Sequence, residues 1–318
     1  MKKFLEDLKN ELIKQHMLEQ DINDIISDHE EMIQNAINEG LTEEEMKKRF
    51  GNPEELAKEL ASFSSRQAET FDIPEDYQLW KSFSLMDTDL RIKIALVSED
   101  IQVSTSSDNQ IHVYYKGKAD INKYYCDLKQ DEFILEAPKL SGFIFMKSNQ
   151  HDIDFILEFP TSAHITNFSF NSVSSDFNYV NLNSDIFTLS TTSGDVTLKN
   201  AKLKETKWNT VSGDLFVSYI KVNSLISSQV SGDLHMKNVY VAQNMKLNTV
   251  SGDIHIEESV SQECLLHSVS GDINGREFYP SRISLKSING DITIKNKNHT
   301  DIEVISKSSV SGEINIQI

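Results

Sequence analysis

Between residues 174 and 313 a three-residue phrase recurs eight times at a nearly constant interval. It reads Ser174-Ser175-Asp176, Ser193-Gly194-Asp195, Ser212-Gly213-Asp214, Ser231-Gly232-Asp233, Ser251-Gly252-Asp253, Ser270-Gly271-Asp272, Asn289-Gly290-Asp291 and Ser311-Gly312-Glu313. The spacing of the middle position is almost the same from copy to copy and widens only before the last. A fixed period of this length implies stacked supersecondary units that each touch only their neighbours.

Aligned on the glycine, apolar residues fall in columns. Two residues after it stand Val196, Leu215, Leu234, Ile254, Ile273, Ile292 and Ile314; four after it stand Leu198, Val217, Met236, Ile256, Gly275, Ile294 and Ile316. Two before it stand Thr192, Val211, Val230, Val250, Val269, Ile288 and Val310. Between the after-glycine columns come mostly polar residues, among them Thr197, His235, His255, Asn274, Thr293 and Asn315. Such alternation gives a half-buried strand. Stacking the columns in parallel makes aliphatic ladders along one continuous core. The fold expected is mainly β, a right-handed parallel β-helix of about 19 residues per turn, its hand following the bias of parallel crossovers. Eight turns at ~4.8 Å give a rod of roughly 40 Å. The recurring glycine is expected to supply positive φ at a sharp corner, with Ser and Asp bonding the freed turn amides. Cys264 shares a column with Phe187, Leu225, Met245 and Ile283 and reads as a small buried hydrophobe.

Residues 1–63 follow a different period. Phe4, Leu5, Leu8, Leu12 and Ile13, then Ile22, Ile25, Ile26, Ile33, Ala36 and Ile37, recur at helical spacing. Gly40 suits the end of the second helix, Thr42-Glu43-Glu44-Glu45 a capping box opening a third through Met46 and Phe50, and Gly51 its stop. Asn52-Pro53-Glu54-Glu55 supplies an N-cap, a first-position proline and acids at the positive end of a fourth helix through Leu56, Ala57, Leu60 and Phe63. The domains expected are therefore a small all-α domain over 1–63, a linker over 64–88 that lacks a sustained period, and the β-helix over 89–318. Residues 89 to about 160 hold short alternating segments such as Arg91–Val97, read as an atypical terminal cap.

Residues 1–63 resemble the HAAS domain, a helical module of bacterial signalling proteins often encoded beside PadR-type regulators. The carrying residues are Phe4-Leu5 with Leu8, Asp28-His29-Glu30-Glu31, Ala36 to Gly40, and Phe50-Gly51-Asn52-Pro53-Glu54-Glu55-Leu56-Ala57. Many relatives continue into transmembrane helices, whereas no run here approaches ~20 apolar residues. Residues 89–318, through the repeated Val-Ser-Gly-Asp-Leu/Ile phrase, resemble the bacterial putative-adhesin β-strand-repeat family of LiaG-like domains. Together the resemblances imply a non-enzymatic interaction or signalling protein of the cell-envelope stress response or its regulation. The alternative is a surface-associated adhesin or a binder of cationic antimicrobial peptides.

Composition narrows the partners. A net charge of −18 opposes direct nucleic-acid binding, which needs clustered Lys and Arg, and opposes unaided docking on anionic lipid. A protein or peptide partner, cationic in character, is expected, and self-association through the helical domain is an alternative. Met1-Lys2-Lys3 leads into an acid-rich amphipathic segment rather than a secretory apolar stretch, and Cys126 and Cys264 form no metal-spaced pair. These features suggest a reduced, cytoplasmic protein, with envelope association without a signal peptide as the alternative.

No phosphate loop, Walker phrase or nucleophile elbow occurs, so no catalytic or cofactor residue is assigned. The acidic column from Asp176 to Glu313 would place like charges one strand spacing apart, repelling by roughly 0.9 kcal/mol per pair in water. Carboxylates capping the amides of their own turns would offset this, and a cation or polybasic ligand along the column is the functional alternative. His235 and His255 share an outward position on adjacent turns beside Asp233 and Asp253, which makes these four the candidate metal ligands. A polysaccharide-active enzyme is a third reading. It is opposed by the acidic face, which repels uronate polymers, and by few aromatic platforms beyond Trp208, Phe216, Tyr219 and Tyr240.

Overall fold

The computed structural model describes residues 2–14, scattered positions between 22 and 57, and residues 73–86, 88–138, 152–181, 183–297 and 302–317. Its contacts divide the chain into two units, Met1–Phe71 and Asp72–Ile318.

In the first unit, helix α1 (Lys2–Lys14) buries Phe4, Leu8 and Leu12 against Ile22, Ile25, Ile33, Phe50 and Ala57. Asn52 caps the helical residues after it as its sequence implied: its Oδ1 accepts the Glu54 N–H at 2.9 Å and its carbonyl the Leu56 N–H at 2.9 Å. Ile13 and Ile37, read from their spacing as part of the apolar faces, are instead about half exposed. Gly40, Glu43 to Met46, Gly51, Leu60 and Phe63 lie outside the described residues.

The second unit is a β-solenoid of 18 strands. Its regular part runs through β10 (Ser184–Thr191), β11 (Val196–Thr210), β12 (Leu215–Gln229), β13 (Leu234–Thr249), β14 (Ile254–Ser268), β15 (Ile273–Ser287), β16 (Ile292–Lys295), β17 (Glu303–Ser309) and β18 (Ile314–Gln317). Every neighbouring pair in this part is parallel, and the expected columns are the observed ones. Val196, Leu215, Leu234, Ile254, Ile273, Ile292 and Ile314 stand opposite one another rung after rung. Cys264 lies between Met245 and Ile283, buried as expected. Gly275 leaves a gap in its column that Phe278 of the same turn fills: a Cβ there would touch the Phe278 ring at 3.4 Å.

Pairing between β11 and β12 lapses at Asn200 and Lys204, so each turn consists of three straight segments. The left-handed corner is not where the glycine suggested. Asn181, Asn200, Tyr219, Asn238, Glu258 and Glu277, one per turn, take φ of 50–60°, whereas of the seven repeat glycines only Gly194 has positive φ, at 106°. The glycine recurs because of close approach. A Cβ on Gly213, Gly232, Gly252, Gly271, Gly290 or Gly312 would overlap the carbonyl oxygen of the glycine one rung earlier. From inside, hydroxyls hold those carbonyls: Thr249 Oγ1 donates to the Gly252 oxygen at 2.7 Å, and Ser268 and Ser287 donate likewise to Gly271 and Gly290.

The column two residues before the glycine is not core. Val211, Val230 and Val250 each keep 44–45% of their surface exposed and Val310 keeps 79%. The Ser-Gly-Asp corner turns this column outward, because the next inward position is already taken by the buried polar column of Thr210, Gln229 and Thr249.

Toward the N-terminal end the strands are β1 (Gln78–Ser84), β2 (Asp89–Ala95), β3 (Ile101–Ser106), β4 (Gln110–Gly117), β5 (Tyr125–Lys129), β6 (Glu132–Glu136), β7 (Ile153–Pro160), β8 (His164–Ser172) and β9 (Phe177–Val180). Here β2 and β3 are the first two segments of a rung: each pairs in parallel with its successor, β8 or β9, and with β6 or β7 on its other side. Antiparallel pairs β4–β7, β1–β4 and β5–β6 then close that end. β1 falls inside the stretch read as linker, and its Trp80 and Phe83 pack on Phe155 and Phe133. Its burial is partial and its period weak, which is why the pattern hid it. At the other end, Lys307 stands in register with Leu285, so a charge occupies the last position of an apolar column. An inward-placed charge on an edge strand opposes further stacking.

Gly232→Ala should therefore destabilise the solenoid by about 1–3 kcal/mol through backbone overlap. Gly275→Ala should cost under about 1 kcal/mol, and urea melts of the two variants compare them directly. Lys307→Leu should promote end-to-end association, seen as mass that rises with concentration in sedimentation equilibrium.

Candidate binding surface

The carboxylate column is a hydrogen-bonded ladder. Oδ1 of Asp176 accepts the backbone N–H of Asp195 at 2.8 Å, Asp195 that of Asp214 at 3.0 Å, and Asp214 that of Asp233 at 2.9 Å. Asp233, Asp253 and Asp272 continue it at 2.8 Å each, and Asp291 accepts from Glu313 at 2.7 Å. Each carboxylate thus caps the turn one rung on, where its own turn was expected. A hydrogen bond to a charged acceptor contributes about 1.5–3 kcal/mol, which exceeds the roughly 0.9 kcal/mol of like-charge repulsion across one rung. The serines also differ from expectation: they donate to carbonyls of the preceding rung, as Ser231 Oγ does to Val211 at 3.0 Å and Ser270 Oγ to Val250 at 3.0 Å.

The ladder begins earlier than the eight phrases. Asp176 N–H donates to Asp100 Oδ1 at 2.9 Å, so Val97-Ser98-Glu99-Asp100-Ile101 is a ninth copy. Its likeness is faint in the sequence because glutamate holds the glycine place and most of the cap intervenes before the next copy. Glu99 is fully buried, and its carboxylate accepts the N–H groups of Val97 at 2.7 Å and Ser98 at 3.0 Å and the hydroxyl of Tyr124 at 2.7 Å. Burial and this bond to Glu99 both push the Tyr124 phenol upward. Asp154 stands opposite the Asp100 position on the rung beyond, where Lys116 lies 3.4 Å from it. Around this end lies an open depression of about 330 Å³ lined by Tyr77, Asp100, Gln102, Asp154, Asp176 and Asp195. Burial raises the Asp100 pKa, and the charges of Asp176 and Asp154 act in the same direction.

From Asp176 to Glu313 no ion pair joins a ladder carboxylate to a cation among the described residues. Elsewhere charges are matched across rungs: Arg276 lies 2.9 Å from Glu257, Lys204 2.9 Å from Asp185 and Lys237 3.9 Å from Glu257. The ladder is therefore a row of uncompensated charge, with the exposed valine row on the other shoulder of the same corner.

The structure places His235 opposite His255, with Asp233 and Asp253 one outward position away. Their rings stack face to face, with centroids 4.9 Å apart and planes 12° apart, and Phe216 extends the stack at 5.0 Å. Among the described residues no three His, Cys, Asp or Glu side chains converge as a metal would require. The stack takes both faces of His235 and one face each of Phe216 and His255, which leaves less ring for a sugar to lie on. Of the other aromatics, Trp208 is core, Tyr219 is a corner and Tyr240 is exposed. Burial pushes the Cys126 thiol up to about 12 and that of Cys264 higher, so neither is a nucleophile at neutral pH.

Residues 90–224 and 209–318 match the family described as Toastrack DUF4097, and residues 3–59 match HAAS. The chain belongs to the Toastrack DUF4097 family and carries a HAAS domain at its N-terminus. Among solved structures it is similar to a "putative lipid binding protein" of Parabacteroides distasonis. The two are 18% identical over 76% of this chain and 97% of that one, with a TM-score of 0.51. A "putative adhesin" of Parabacteroides merdae is 12% identical over 76% and 96%, with a TM-score of 0.39. At so low an identity the first likeness shows the fold alone. No curated protein matches the chain. No helix among the described residues is long and apolar enough to cross a membrane.

Asp233→Asn keeps an oxygen for the Asp253 amide and removes one charge, so stability should change by less than about 0.5 kcal/mol. Asp233→Ala leaves that amide unpaired and should cost about 1–3 kcal/mol. Thermal melts of the two variants separate the bond from the charge.

Proposed function

We propose that this protein is a non-catalytic binding protein of the adhesin type, whose repeat surface engages an extended macromolecular partner. The carrying observation is the in-register parallel pairing, which presents the same outward columns rung after rung. A surface that repeats by translation suits a ligand that is itself extended, and among the described residues no His, Cys, Asp or Glu cluster converges on it. The buried thiols and the matched charges away from the ladder support the same reading. The HAAS module favours coupling of this binding to a regulator, as in an envelope-stress response. On this reading the helical module over 1–63 and the repeat over 89–318 are the two working parts.

Cell fractionation combined with binding of the purified full chain to isolated bacterial envelopes tests the proposal. The expected result is saturable binding to envelopes, with the native protein recovered in the envelope fraction. Recovery wholly in the cytosol together with no binding to envelopes overturns it.

A further inference from the structure

We propose that the valine and carboxylate rows flanking the Ser-Gly-Asp corner form one docking edge, and that its occupant is an extended polybasic protein segment that also carries apolar side chains. This rests on the binding reading above and adds the place and the chemistry of the partner.

The apolar half is unaccounted for by the fold. Val173, Val211, Val230 and Val250 are 51, 44, 45 and 44% exposed on the outside of a corner that already has its own inward column, so nothing in the solenoid requires a hydrophobe there. Threonine stands in the same place at Thr192. On three successive rungs Val211, Val230 and Val250 thus make an exposed apolar row, bounded by Thr192 on one side and by the partly buried Val269 and Ile288 on the other, and such a row marks a contact surface.

Charge selects the occupant. Three residues on, across the same tight corner, runs a row of one carboxylate per rung, held at fixed spacing by its amide bonds and, among the described residues, without an ion pair to a cation between Asp176 and Glu313. In water two unit charges interact by RT at about 7 Å, whereas the rungs are ~4.8 Å apart. A row denser than that limit gathers counterions, and a linear polycation that displaces them gains the entropy of their release, as on a nucleic-acid strand. A lone small cation gains little of this, and an anionic surface is repelled. Side chains of lysine reach the row from a backbone that need not match its period, while their neighbours cover the valines. From Asp100 to Glu313 the nine rungs span about 38 Å, the length of roughly twelve extended residues.

The test measures binding of the full chain to the twelve-residue peptide (Lys-Val-Ser)4 against (Lys-Ser-Ser)4 and (Glu-Val-Ser)4, at salt from about 50 to about 300 mM. The first should bind best, the third not at all, and log K against log salt should have a slope of about −2 to −3, near −0.7 per lysine. The triple variant D214N/D233N/D253N keeps the turn bonds and should flatten that slope by about 1 or more while weakening binding about tenfold at low salt. The triple variant V211S/V230S/V250S should weaken binding of (Lys-Val-Ser)4 about tenfold at every salt, leave the slope unchanged and remove the advantage over (Lys-Ser-Ser)4. Melting curves like that of the parent show that both variants fold.

Absence of binding at millimolar peptide, or binding indifferent to both variants, overturns the proposal. So does a self-association of the chain that the valine variant abolishes, because the occupant is then a second copy. Envelope binding without peptide binding removes only this partner class, whereas loss of both removes the binding reading as well.

Discussion

The regular solenoid depends on one contact: from Gly213 to Gly312 the glycine of each rung lies against the carbonyl oxygen of the glycine one rung earlier, with no room for a Cβ. That approach sets the rung spacing at the corner and pins the register of both flanking strands. Because side chains alternate with a period of two, a slip of one residue would turn every column inside out. The inner hydroxyls of Thr249, Ser268 and Ser287 hold the same carbonyls from the core side, so the corner is fixed from within as well as along the rod.

The remaining features follow from a corner pinned in this way. Aspartates arrive at identical heights on successive rungs, and each can reach the next amide, so a repulsive row becomes a stabilising one. The same register brings Phe216, His235 and His255 into a single stack and lets Phe278 fill the space left by Gly275. The two ends are treated differently. Antiparallel strands and the buried Glu99–Tyr124 pair close the N-terminal end, while on the last described rung Lys307 stands in register with the apolar Leu285.

Much of this was legible in the chain. The repeat period, the two after-glycine columns, the burial of Cys264 and the Asn52 cap all depend on local spacing, and local spacing survives folding. What misled were features whose meaning is relational. The valine column looks like core because it is apolar and periodic, and only the direction of the corner shows that it faces water. The glycine suggests positive φ by its chemistry, whereas its reason is a neighbour on the adjacent rung, and the left-handed corners fall on Asn181, Asn200 and their successors. The ninth phrase, with Glu99 in the glycine place, is recognisable only once Asp100 is seen bonded to Asp176. Of the candidate metal ligands, the adjacency of His235 and His255 was readable, and their face-to-face stacking was not.

By itself the sequence determined that the chain carries an acidic helical module and a stacked β repeat, and which residues share a column, because period and alternation are one-dimensional properties. Tertiary structure alone decided which columns face solvent, which end is closed, and that from Asp176 to Glu313 the carboxylate row meets no cation among the described residues. Those outcomes depend on how each corner turns and on which groups from distant segments arrive beside it, and neither is written in the spacing of residues along the chain.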